Sequence, residues 1–296
     1  MDWDKLRVFH AVAEAGSFTH AGEALNLSQS AVSRQISALE ESLSVPLFHR
    51  HARGLILTEQ GDVLYRTARE VFAKLAMTEA MLSESKDRPK GPLKVTTTVA
   101  FGSAWLVPRA REFLELYPEI ELSFVVDDTE LDLSMREADV AIRMSPPRQP
   151  DLVQRHLMTV RNPIFASRDY LKKHGTPQKA EDLEKHRIIV YGADSRPPVR
   201  YVNWLMEANA GNRELRPILA VNNLYAIVRA VESGLGIASM PDFMERETAE
   251  LVRILPELQG PEVEAYFVYP EELRTSKRIA VFRDFLLRKV TEGRNG

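Results

Sequence analysis

Residues 18–36 read Phe18-Thr19-His20-Ala21-Gly22-Glu23-Ala24-Leu25-Asn26-Leu27-Ser28-Gln29-Ser30-Ala31-Val32-Ser33-Arg34-Gln35-Ile36. Two helical segments flank a short break. Phe18, Ala21 and Leu25 share one face of the first. Asn26-Leu27 is the break, and Asn tolerates the left-handed conformation a tight corner needs. Ser28 is placed to cap the second segment. There Val32, Ile36, Leu39 and Leu43 recur at intervals of four, three and four, which makes one apolar stripe. Pro46 ends it. Outward on the N-terminal side, Leu6, Phe9, Val12 and Ala13 predict an earlier helix, interrupted at Gly16-Ser17, with Ser17 a candidate cap. On the other side, His49-Arg50-His51-Ala52-Arg53-Gly54 precedes the apolar run Leu55-Ile56-Leu57 and reads as a small hairpin, or wing. Residues 1–58 are therefore a compact helical unit.

The polar face of the third helix presents Ser28, Gln29, Ser30, Ser33, Arg34 and Ser37. Small hydroxyls allow close approach to a duplex, Gln reads adenine edges, and Arg reads guanine or grips phosphate. Arg50 and Arg53 in the wing suit backbone contact. An ordinary solvated helix face is the rival reading for any one of these side chains. The adjoining helix, the Asn corner and the basic wing together favour DNA. Residues 1–58 hold five Lys/Arg against six Asp/Glu, so affinity must come from a placed patch and from pairing of two units.

Residues 59–88 predict a long helix without Pro. Leu64, Ala68, Val71, Leu75, Thr78 and Leu82 fall at heptad spacing, a stripe suited to a partner helix. Lys86-Asp87-Arg88-Pro89-Lys90-Gly91-Pro92 reads as a linker. Beyond it strands and helices alternate. Leu93–Thr98 is a strand, Trp105–Leu116 a helix, Ile120–Val126 a strand, Leu131–Glu137 a helix and Asp139–Met144 a strand. A second set starts near Pro163: strands at Arg187–Tyr191, Ile218–Val221, Gly236–Met240 and Ala265–Tyr269, and helices from Val202, at Leu224–Ser233 and at Ile279–Val290. This order implies parallel or mixed sheets covered by helices, in two lobes with a cleft between them.

At 296 residues, 44% hydrophobic and 27% charged, the chain suits two or three folded domains. The net charge of −3 excludes a globally basic nucleic-acid coat. The absence of cysteine excludes disulfides, thiolate metal sites and cysteine nucleophiles. No stretch reaches the about 18 apolar residues of a membrane span, and Met1-Asp2-Trp3-Asp4-Lys5 does not open a secretory signal. The expected location is the cytoplasm. The enzyme motifs G-x-S-x-G, P-loop and H-E-x-x-H are all missing. Gly234-Leu235-Gly236 follows a helix and precedes a strand, the reverse of a dinucleotide loop. Asp127-Asp128 reads as a turn before it reads as a metal or acid–base pair. No metal site, catalytic residue or cofactor is expected.

The chain resembles the LysR-type transcriptional regulators. Ala11-Val12-Ala13-Glu14-Ala15-Gly16-Ser17-Phe18-Thr19-His20-Ala21-Gly22-Glu23-Ala24-Leu25 is similar to the family's first half-motif, and Leu27 to Ile36 to its recognition helix. Leu39-Glu40, Leu47-Phe48-His49-Arg50 and Leu57-Thr58-Glu59-Gln60-Gly61 follow in the family's order. Further along come Leu106-Val107-Pro108, Tyr117 to Leu122, Asp139 to Arg143, Gly234 to Ala238 with Met240-Pro241, and Phe282 to Leu286. Within the family the chain looks closest to an LsrB/VtlR-like subgroup.

The resemblance implies a winged helix-turn-helix (residues 1–58), a linker and dimerisation helix (59–88), and a two-lobed Rossmann-like effector domain similar to periplasmic binding proteins. Lobe 1 would be 93–164 and 270–296, and lobe 2 would be 165–269. The implied partners are double-stranded DNA carrying an interrupted inverted repeat, a second copy in a homodimer or homotetramer, and RNA polymerase, with no membrane. A small-molecule effector would sit between the lobes. The rival reading is a cytoplasmic solute-binding protein without a DNA function.

Ligands of open α/β lobes sit at strand carboxyl ends and helix N-termini. This selects Ala100, Phe101, Gly102 and Ser103 after the first strand, Asn222 and Asn223 before a later helix, and Asp128, Thr129, Arg143 and Tyr191 at strand ends. Plain capping or a surface loop is the alternative for each. Family members often carry Ser or Thr where Ala100 stands, so the resemblance places the usual contact there in doubt. Arg143 biases the expectation towards an anionic effector.

Overall fold

The structure is a computed structural model. It describes all residues except 1, 52, 53, 84–87, 147, 148, 150, 193–196, 198, 209–214, 248, 295 and 296. The side chains of residues 50, 51, 54, 73, 76–83, 246, 247 and 294 are likewise not described. The chain divides into two units, residues 1–83 and 84–296.

The first unit runs α1 (Trp3–Ala15), α2 (Phe18–Leu25), α3 (Gln29–Leu43), β1 (Phe48–His51), β2 (Gly54–Leu57) and α4 (Glu59–Ser83). Leu6, Phe9, Val12, Ala21, Val32, Ile36 and Leu39 are buried together, so the stripes read from the sequence converge on one core. Asn26 closes α2 with φ +53 in the left-handed region. Ser17 stands at the α2 N-cap but makes no side-chain capping bond, contrary to its expected role. The Glu40 carboxylate accepts the Leu47 and Phe48 amides at 2.7 and 3.3 Å, which ties α3 to the wing. The Thr58 hydroxyl donates to the Pro46 carbonyl and accepts from the Gly61 amide, which opens α4 against the same segment.

Gly61 is required by that close approach rather than tolerated as a weak helix former. A Cβ there would lie 2.1 Å from the Leu47 carbonyl oxygen. Gly61→Ala should therefore destabilise the first unit by about 1–3 kcal/mol. Urea unfolding of the full chain checks this, and unchanged stability would count against it.

The heptad stripe divides. Leu64, Ala68 and Phe72 pack on the core of the first unit, whereas Val71 and Leu75 are exposed. The side chains of Thr78 and Leu82 lie outside the described residues.

His10 contributes to the α1–α4 seam, its ring 5.6 Å from that of Tyr65 and 5.0 Å from that of Phe72. Burial lowers its pKa from the ordinary 6.5. The Glu14 charge opposes that shift and the Arg69 charge reinforces it. The folded state thus takes up a proton less readily than the unfolded chain. Stability from this seam is full above about pH 6.5 and declines as pH falls below it towards the depressed folded value. Replacing His10 by Phe should flatten that decline in melting temperature, and an unchanged pH profile would contradict it.

In the second unit β3 (Gly91–Thr97) leads into one continuous helical run. It comprises α5 (Val99–Phe101), a π-helical stretch Gly102–Leu106, a 3-10 turn Val107–Arg109 and α6 (Ala110–Leu116). β4 (Ile120–Val126), β5 (Val140–Arg143) and β6 (Leu152–Val160) follow. The expected linker stops short of Pro92, because Gly91 and Pro92 already pair with Ile120 and Glu121. Leu131–Glu137 is a turn and not a helix. Asp132 accepts the amides of Ser134 and Met135, Glu137 accepts that of Asp132, and Arg136 has φ +58. Side chains there take the amides that a helix would need.

The chain then enters β7 (Ile164–Ser167), α7 (Arg168–His174), β8 (Ile188–Tyr191), α8 (Leu205–Ala208), β9 (Pro217–Val221), α9 (Leu224–Glu232), β10 (Ala238–Ser239) and β11 (Leu251–Ile254). It returns through β12 (Val263–Pro270) and ends in α10 (Lys277–Arg294). One mixed sheet has the order β4-β3-β5-β12-β6. The strands β10-β7-β11 and β8-β9 form the other lobe, joined by a parallel bridge between Ile188 and Ile237. The sequence puts Ala265–Tyr269 in lobe 2. In the structure these residues pair with β5 and β6 of lobe 1, so the second crossing precedes Val263. Lobe 1 is cored by Leu93, Val95, Phe101, Phe113, Ile142, Phe267 and Phe282. Phe165, Ile189, Leu224, Ile227, Val231 and Met240 lie in the core of lobe 2.

Candidate nucleic-acid and effector sites

The apolar stripe fixes which face of α3 is offered outward. Val32, Ile36 and Leu39 are fully buried, so Ser28, Gln29, Ser30, Arg34 and Ser37 are exposed and Ser33 half-buried. The Ser28 hydroxyl accepts the Ala31 amide at 3.2 Å and caps the helix. The Ser28 and Ser30 hydroxyls stand 3.1 Å apart. Arg34 donates from Nε to the Ser30 carbonyl at 3.3 Å, which lays its guanidinium along the outer face. The wing is antiparallel, with Phe48 opposite Leu57 and Arg50 opposite Leu55. Arg50 is therefore on β1, its side chain not described, and Arg53 lies outside the described residues.

The effector candidates separate into two groups. Phe101 is a core residue, with its ring 4.8 Å from that of Trp105 and 5.4 Å from that of Phe243. Gly102 is a packing glycine, since a Cβ would lie 2.8 Å from Val126 Cγ1. Arg143 is buried and donates to the Leu131 carbonyl at 2.8 Å. It alternates along β5 with Val140 and Ile142, which face the lobe 1 core, so it points to the opposite side of the sheet. Each of these three also serves the packing of lobe 1.

In the second group, Ala100 and Tyr191 share one cluster across the lobes. Ala100, on lobe 1, is buried in the cluster that holds Tyr191, Leu224 and Ile227 of lobe 2. Ser103 is half-buried. Asp128 Oδ1 accepts the Val99 amide at 3.0 Å, so the chain's own carboxylate takes an amide at the start of α5. Burial pushes the Asp128 carboxyl up, the Val99 hydrogen bond opposes that, and the neighbouring Asp127 charge adds to it. Tyr191 is nearly fully buried. Burial raises its phenol, and the charge of Asp128 raises it further. Asn203 clamps the Tyr191 backbone by accepting its amide at 2.8 Å and donating to its carbonyl at 2.9 Å. The void beside Tyr191 is about 10 Å³, room for one water at most.

Thr129 is exposed, and its amide donates to Asp127 at 2.7 Å in the turn the sequence suggested. That bond holds the Asp127 carboxyl below its usual value. Asn223 caps α9 by accepting the Ala226 amide at 3.0 Å, and Asn222 beside it is exposed. A separate cavity of about 400 Å³ lies beside Tyr201, Trp204, Leu258 and Pro261. No sequence signal marked it.

Comparison with known proteins decides what carries these two sites. Residues 3–62 match the bacterial regulatory helix-turn-helix protein of the lysR family, and residues 86–291 match the LysR substrate binding domain. The chain belongs to the LysR family of regulators. The transcriptional regulator CrgA of Neisseria meningitidis is 33% identical over 292 residues, covering 97% of this chain and 96% of that one. Its solved structure matches with a TM-score of 0.61 at 32% identity, covering 98% and 99% of the two chains. The Vibrio cholerae virulence activator AphB matches with a TM-score of 0.61 at 27% identity, covering 97% and 99%.

This LysR-family chain is a helix-turn-helix transcriptional regulator with a two-lobed regulatory domain. That reading stands over a solute-binding protein without a DNA function, because the winged unit is covered by the family match. Among the described residues no helix is long and apolar enough to cross a membrane, and no group of His, Cys, Asp and Glu could hold a metal ion. The Gly234–Gly236 segment follows α9 and precedes β10, the order that sets it apart from a dinucleotide loop.

Proposed function

We propose that this LysR-family regulator reads an interrupted inverted repeat as a homodimer, two of which can pair as a tetramer, with one α3 in each half-site. Ser28, Gln29, Ser30, Ser33, Arg34 and Ser37 would meet the major groove, and Arg50 and Arg53 the flanking backbone. A small molecule held between the lobes, near Ala100, Phe101, Gly102, Ser103, Asp128, Thr129, Arg143, Tyr191, Asn222 and Asn223, would alter the spacing of the two recognition helices. Such coupling requires that the ligand bind two arrangements unequally. The chain would carry no catalytic activity.

One observation supports this reading most. The face of α3 bearing Arg34 is exposed while the opposite stripe is fully buried, the disposition a groove-reading helix needs. With a net charge of −3, non-specific attraction alone is weak. The test is retention of promoter fragments by the full chain against excess random duplex. Selective retention is expected. Binding that ignores sequence but collapses with added salt would favour a non-specific DNA-coating protein instead.

A further inference from the structure

The cavity of about 400 Å³ in lobe 2 is of a size that holds small molecules. One wall is Tyr201, Trp204 and Glu207, three residues apart along the turn that opens α8 and so on one face of it. Pro261 belongs to the other wall, in the loop after β11. That loop presses on the indole, since a Cβ at Gly260 would lie 2.4 Å from Trp204 Nε1. The walls are fixed in advance by a chain of hydrogen bonds. Trp204 Nε1 donates to the Ser239 hydroxyl, and that hydroxyl donates to the Asn162 carbonyl at 3.0 Å. Asn162 Nδ2 in turn donates to the Pro261 carbonyl at 3.1 Å. Tyr201 holds φ +56, a conformation costly for a bulky side chain, and is 64% exposed. The turn therefore presents an aromatic ring at the cavity instead of burying it. Among the described residues the charged members of the lining are Glu207 and Glu257, both exposed and neither in an ion pair.

We propose that this cavity is a second small-molecule site, separate from the one between the lobes, and that it takes an organic cation: a flat apolar body against Tyr201, Trp204 and Pro261, with an ammonium group towards Glu207 and Glu257. Aromatic walls favour both the apolar body and the positive charge. The two carboxylates disfavour an anion on the same body. Being exposed, they supply a selectivity of a few fold and not of orders of magnitude.

The chain has three tryptophans, Trp3, Trp105 and Trp204, so fluorine NMR of the full chain labelled with 5-fluorotryptophan reads the site directly. Trp204→Phe assigns the signal. The probes are 2-phenylethylamine, 2-phenylethanol and phenylacetate, which share a phenyl body and differ in charge. The Trp204 signal should shift saturably with the amine, with a Kd at least threefold below that of the alcohol, and phenylacetate should bind more weakly than either. Glu207→Gln combined with Glu257→Gln should bring the amine to the affinity of the alcohol and leave the alcohol unchanged. Tyr201→Ser, at an exposed ring, should weaken amine and alcohol alike. A Trp204 signal that no probe shifts saturably, or a shift confined to Trp105, overturns the site. Phenylacetate binding as tightly as the amine, or an amine preference that survives in the double variant, overturns the assignment of a cation.

Discussion

Val71→Glu combined with Leu75→Glu should leave the full chain monomeric and lower its retention of promoter fragments by about a hundredfold or more. Both side chains project from α4 into solvent, 36% and 44% exposed, one turn apart. Neither belongs to the core that Leu64, Ala68 and Phe72 complete, so the first unit keeps its packing. Two facing carboxylates per helix in place of two apolar residues would oppose any seam formed with a second copy. Loss of pairing removes the bivalent gain, which is about 10²–10⁴ for linked modules. The slight excess of acids over bases in residues 1–58 leaves a single unit little non-specific attraction to fall back on. Sedimentation and retention assays check the two halves of this expectation. A variant that stays dimeric would show that α4 pairs through another face.

Arg34→Ala should weaken binding to the preferred site by about 1–3 kcal/mol and relax the preference at one base position. Arg34→Lys separates the two roles a guanidinium can have. At a phosphate, Lys keeps most of the affinity. At a guanine edge it loses the forked pair and with it the base preference. The Nε bond to the Ser30 carbonyl leaves the guanidinium's terminal nitrogens for DNA. Competition assays with single-base variants of the site read this directly, and equal losses at every position would place Arg34 on the backbone.

The winged unit was largely legible because its signals are local. The α3 stripe repeats within one helix, Asn26 takes the left-handed corner its type allows, and Ser28 caps the helix it precedes. What lay outside the sequence depended on distant partners. Leu131–Glu137 has helical spacing of its apolar residues, but Asp132 and Glu137 take its amides and turn it. β6 does not read as a strand because its inward residues, Leu157 and Val160, are set by pairing with β12 about a hundred residues later. That same pairing draws Ala265–Tyr269 into lobe 1. Asp128 stands at a strand end in the sequence, but its local neighbourhood does not show that it accepts the Val99 amide, 29 residues earlier.

On this reading α3 enters a duplex groove with Arg34 facing the bases. Genome-wide mapping of DNA bound by the wild-type chain and by Arg34→Ala tests it most directly. The account predicts that wild-type sites share an interrupted inverted repeat and that the variant loses the preference at one symmetric pair of positions. Sites without a common repeat, or an identical repeat recovered with both chains, would contradict it.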